Sequence, residues 1–81
     1  MARYFFHLRD GVERLLDPQG QAIDDPHSIA AIAMKEARAL IAQEALNGRI
    51  DLGQRLEIED DNGAIVHTLR FADAIRIVGG A

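Results

Sequence analysis

RYFFHLRDG, residues 3–11, decides how the rest of the chain is read. Three aromatics, a histidine and two arginines fall in nine positions. They alternate: Tyr4, Phe6 and Leu8 take one side, Phe5, His7 and Arg9 the other. A period of two with aromatics is the signature of a half-buried β-strand. Asp10-Gly11 then closes a hairpin, because glycine accepts positive φ. A returning strand is predicted over residues 12–16, with Val12, Leu15 and Leu16 as its apolar contacts. The alternation breaks at the paired leucines, so a bulge or an early strand end is expected there.

Outward from this hairpin, Asp17-Pro18-Gln19-Gly20 is a second turn, with proline at i+1 and glycine at i+3. Residues 21–23 extend briefly. Asp24-Asp25-Pro26 starts a helix: Asp25 caps free amides, Pro26 suits the first helical position, and both acids favour the positive end of the dipole. The helix is predicted over residues 26 to about 46, with Asn47-Gly48 as its stop. Ile29, Ala30, Ala33, Met34, Ala37, Leu40 and Ile41 share one arc at helical spacing. Ile32 lies off that arc beside Glu36 and Gln43. Residues 54–59 alternate again, Leu56 and Ile58 inward, Arg55, Glu57 and Glu59 outward. Asp60-Asp61-Asn62-Gly63 is a tight hairpin turn, and residues 64–71 return as a strand. Residues 71–75 read as a short turn or a helical piece, and residues 77–80 as a last strand or a loose tail. The predicted fold is α+β, in the order β-β-α-β-β: an antiparallel sheet of about four strands with one long helix packed on one face.

Eighty-one residues make one small domain, residues 1–81, with no linker, repeat or low-complexity run. A chain of this size buries roughly 60–65% of its unfolded surface, so a few large side chains must carry the core. The apolar share is 48%, but much of it is alanine, with three Phe, one Tyr and no Trp. Without cysteine there is no disulfide, thiolate zinc site or cysteine nucleophile. No signal peptide is read at the N-terminus, and no apolar run approaches a membrane span. The expected setting is a reducing cytoplasm. The net charge of −4 argues against nucleic acid as a partner. Eight of the nine bases are arginine. Arginine-rich surfaces make contacts through the planar guanidinium fork, but high-GC coding gives the same bias.

RYFFHLRDG, LLDPQG, the alanine-rich helix and RLEIEDDNGAIVHTLRF-ADAI together resemble a family of short bacterial proteins, common in alpha-proteobacteria, called the domain of unknown function 6894. The resemblance spans nearly the whole chain. Its most specific part is an aromatic strand ending in Asp-Gly followed by DPQG. It implies a small α+β domain and carries over no catalytic residues.

Chemistry is sparse. His7, His27 and His67 are dispersed, with no HxH or HExxH spacing. If their strands pair, His7 and His67 approach each other and become the candidates for a metal, with Glu57 as a third ligand. The acids of EDDNG fail the calcium-loop pattern, since counting back from Gly63 puts Ile58 at its first position. Ser28 and Thr68 follow no nucleophile-elbow pattern. No catalytic residue and no cofactor are expected. The reading is a non-enzymatic interaction module, a homodimer joined through its open sheet face or an edge strand. Phe5, His7, Arg9 and Ile32 are its candidate surface. The alternatives are a nucleic-acid-linked regulator resembling the HicB antitoxins in topology, and a histidine-based metal-binding protein.

Overall fold

The strand expected from RYFFHLRDG is the axis of the sheet. The computed structural model describes residues 2–80, and in it Ala2–Asp10 forms β1. Its long partner is β4, Gln54–Asp60, antiparallel from Tyr4↔Asp60 to Asp10↔Gln54. β5, Ile65–Arg70, pairs with β4 and forms one edge. The other side of β1 is shared by two short strands. β2, Glu13–Leu15, pairs with Leu8–Asp10, and β3, Gln21–Ile23, pairs with Ala2–Tyr4. The sheet therefore has five strands, one more than expected, because residues 21–23 join it as a true strand. One long helix, α1, Ile29–Leu46, packs on one face. The α+β class and the strand–helix order follow the sequence.

Local chemistry explains the element ends. The Asp25 carboxylate accepts the His27 N–H at 3.0 Å, and Pro26 opens a 3₁₀ turn over Pro26–Ser28 that leads into α1. At the far end Gly48, at φ +86°, donates its N–H to the Ala45 carbonyl at 2.9 Å. In the β4–β5 turn, Asp60 Oδ1 accepts the N–H groups of Asn62 and Ala64, each at 2.9 Å. Asp60 of EDDNG thus builds the hairpin turn. Ile58 faces His67 and Glu59 faces Ile65, so Val66 is an extra, bulged residue in β5.

The core lies between the sheet and the helix. Ile29, Ala33, Ala37 and Ile41 form a buried stripe with a spacing of four, and the two alanines let the helix approach the sheet. Beneath it sit Tyr4, Phe6, Leu56, Ile58, Leu69 and Phe71, of which Leu56, Ile58 and Phe71 are fully buried. Ile32, Leu8, Leu40 and Ile75 pack partly buried against this cluster. Ile32 therefore belongs to the margin of the core and not to the open sheet face.

Two other expectations change. The return over residues 12–16 ends early at the leucine pair, as its broken alternation implied, but Val12, Leu15 and Leu16, expected as apolar contacts, are exposed. Residues 77–80 form no strand, and Ile77 and Val78 are exposed. The 71–75 segment is a 3₁₀ turn, Phe71–Asp73, held to the helix where Arg38 Nε donates to the Ala74 carbonyl at 2.7 Å. No helix among the described residues is long and apolar enough to cross a membrane.

Candidate functional site

Between β3 and β2, the middle of β1 has no strand beside it, and the DPQG loop fills the gap. Asp17 Oδ2 accepts the Phe6 N–H at 3.1 Å, the bond a neighbouring strand would otherwise make. Its Oδ1 accepts from Gln19 at 3.2 Å and from Gly20 at 3.1 Å. Burial alone would raise the Asp17 pKa. The donors from Gly20, Phe6 and Gln19 outweigh burial and hold the carboxyl below its ordinary value. Gly20 stands at φ +67°, and a Cβ there would lie 2.8 Å from the Tyr4 carbonyl oxygen and 2.9 Å from the Phe5 ring. Only glycine fits both constraints.

His7 completes this clamp. The Asp17 N–H donates to His7 Nδ1 at 3.0 Å, so Nδ1 carries the lone pair and Nε2 the proton. Nε2–H then donates to Glu59 Oε1 at 3.0 Å on the adjoining strand. The Phe5 ring lies parallel to the imidazole with centroids 6.3 Å apart. The residue pattern that opened the sequence is thereby explained as scaffold. Asp17 closes the backbone of Phe6, and His7 closes the backbone of Asp17.

Among the described residues no helix or second sheet covers the sheet face opposite the helix, and its residues fall in three rows across the strands. The outermost row is Arg14–Arg9–Arg55–Arg70, directly paired across β2, β1, β4 and β5. Four like charges in one line repel one another. The next row, His7–Glu57–Thr68, supplies the main counterion. Glu57 lies 3.6 Å from Arg9, 3.7 Å from Arg14 and 3.3 Å from Arg55. Arg14 also reaches Glu59 at 3.3 Å, and Arg70 reaches Asp73 at 3.5 Å. Arg9 Nε is buried without a partner among the described residues. The third row is Phe5–Glu59–Ile65.

Beyond the third row the charge reverses. A hollow of about 690 Å³ has Phe5, Leu16 and Pro18 in its walls and Asp17, Glu59, Asp60 and Asp61 around it, with Arg14 reaching in from the arginine row. The open face is thus polarised along β1 and β4, with Arg9 and Arg55 at one end and Phe5 and the carboxylates at the other, and Arg14 bridges the two.

The structure separates the two histidines that the sequence brought together as metal candidates. His7 pairs with Glu57 on the open face, while His67 pairs with Ile58 on the helix face, and β4 lies between their strands. No three metal-ligating side chains converge among the described residues. Ser28 Oγ donates to the Asp25 carbonyl at 2.7 Å, and Thr68 stands exposed on the edge strand. Of the four expected surface residues, Phe5, His7 and Arg9 share the open face, with His7 buried within it, and Ile32 does not join them. Sequence reading missed Arg14, Arg55 and Arg70 as partners of Arg9. Alternation pointed Arg55 outward, but the row exists only once the register of all four strands is known.

Residues 3–72 match the family described as Domain of unknown function (DUF6894). The chain belongs to this family. The match takes in both hairpins, the helix and the DPQG loop, so the clamp and the arginine row lie within the DUF6894 region. No curated protein and no solved structure matches the chain.

Proposed function

We propose that this DUF6894 chain is a non-enzymatic interaction module that associates with a second copy of itself, open face to open face. The observation that carries the reading is the polarity of that face. Arg9 lies two residues after His7 and Phe5 two before it, and Arg55 and Glu59 flank Glu57 in the same way. A two-fold axis running across the strands through the His7–Glu57 row therefore sets Arg9 over Phe5 of the second copy and Arg55 over its Glu59. Arg14 meets the side of the sheet that holds Asp17. Arg9 gains an aromatic face and Arg55 and Arg14 gain carboxylates, as an isologous contact requires, while Arg70 meets Ile65 at the rim. The non-enzymatic part is supported by the engagement of both His7 ring nitrogens and of the Ser28 hydroxyl in structural hydrogen bonds.

The face is small. With β4 seven residues long it measures roughly 23 Å along the strands and roughly 14 Å across them. Such an area belongs to weak, rapidly exchanging contacts. Sedimentation equilibrium should show a monomer–dimer balance that shifts to monomer as salt is added, since the contact is built on charge. Arg55→Glu should abolish the dimer and leave the circular dichroism spectrum unchanged. A strict monomer at high protein concentration, or a dimer indifferent to Arg55→Glu, would refute the reading.

A further inference from the structure

We propose that the arginine row is a binding site for a linear chain of phosphates. The inference is drawn from one copy of the chain and does not depend on self-association.

Four of the chain's eight arginines stand in a single line across four strands. Neighbouring strands lie about 4.8 Å apart, so the line is about 14 Å long. Each guanidinium has five N–H donors in a fixed fork. Arg9, Arg14 and Arg55 share Glu57, and only Arg55 hydrogen-bonds it, at 3.3 Å. Arg14 adds one bond to Glu59, and Arg9 Nε has no partner among the described residues. Apart from Arg9 Nε, which is closed off from water, most guanidinium N–H groups of the row make no hydrogen bond among the described residues, and the repulsion between the four charges is only partly screened. An anion laid along the line would relieve both deficits.

The shape selects the anion. A single phosphate reaches one or two forks, whereas a chain of consecutive phosphates follows the row and engages each fork in turn. Glu59, Asp60 and Asp61 lie toward one end of the same face and repel a broad polyanion that would spread beyond the row. These features favour a compact oligophosphate over a long nucleic-acid backbone, although both carry the same recognisable group.

Isothermal titration calorimetry on protein dilute enough to be monomeric tests this with sodium tripolyphosphate, orthophosphate, a short oligodeoxythymidine and a glutamate oligomer. Tripolyphosphate should bind at least about tenfold tighter than orthophosphate, with affinity falling as salt rises. Arg9→Gln and Arg55→Gln should each weaken it about tenfold. Arg70→Gln, at an exposed edge position, guards against misfolding and should also weaken it. Oligodeoxythymidine binding tighter than tripolyphosphate would keep the phosphate chemistry and assign its source to a nucleic-acid backbone. Equal binding of the glutamate oligomer, no preference over orthophosphate, or affinity unmoved by the arginine variants would overturn the proposal. Where self-association also holds, tripolyphosphate should dissociate the dimer, because both use the same arginines. Failure of the dimer leaves the titration outcome standing.

Discussion

Phe71→Ala is expected to destabilise the fold by about 3–5 kcal/mol, the usual cost of deleting a fully buried aromatic. Phe71 is fully buried, in the turn just after β5, and joins Leu56 and Ile58 as the largest side chains closed off from water. Around them the helix contributes Ala33 and Ala37, which have little reach with which to fill a void. A chain of this length has a total stability of roughly 4–12 kcal/mol. The variant should therefore be largely unfolded or melt far below the wild type in a urea or thermal titration. Phe5→Ala is the internal comparison, since Phe5 lies on the open face outside the core cluster, and it should cost clearly less. Equal losses at the two positions would mean that the core is not where the structure puts it.

The second large effect is at Asp17. Asp17→Ala removes the acceptor of three backbone N–H groups, from Phe6, Gln19 and Gly20, and leaves the middle of β1 without an edge partner. Hydrogen bonds to a charged group contribute about 1.5–3 kcal/mol each and are not additive, so a total loss of about 2–4 kcal/mol is expected. The pH dependence has a definite sign. The folded state holds the Asp17 carboxyl below its ordinary pKa, so the unfolded chain takes up the proton first. The stabilisation is complete above the ordinary carboxylate range, about pH 4, and is lost as the pH falls through the lowered folded value. Asp17→Asn keeps one carbonyl acceptor and cannot titrate. It should be less stable than the wild type at neutral pH and should lack this part of the acid-induced loss. Chemical denaturation at neutral and acid pH measures both, and parallel acid losses in the two proteins would exclude the clamp.

Much of this was legible in the residues because it is local. Alternation in residues 3–9 put Tyr4 and Phe6 inward and Phe5 and Arg9 outward, and the Asp25-Pro26 start and Asn47-Gly48 stop bracketed the helix. What could not be read depends on distant pairing. β1 meets β4 across more than forty residues of chain, and no local pattern states which arginine faces which. The role of Asp17 was hidden for the same reason. As a sequence, DPQG is a turn, and its carboxylate becomes a substitute strand only beside the gap between β2 and β3. The histidine pair failed on a parity argument: the Val66 bulge sets the face that His67 takes, and one extra residue reverses it.

The most direct test of the central claim follows backbone amide shifts by NMR as the protein is concentrated from the low micromolar to the millimolar range. The open-face account predicts concentration-dependent shifts at Phe5, His7, Arg9, Arg55 and Glu59, with α1 silent and the changes suppressed by salt. Shifts gathered on α1 and on Leu15 and Leu16 instead, or none at any concentration, would contradict it.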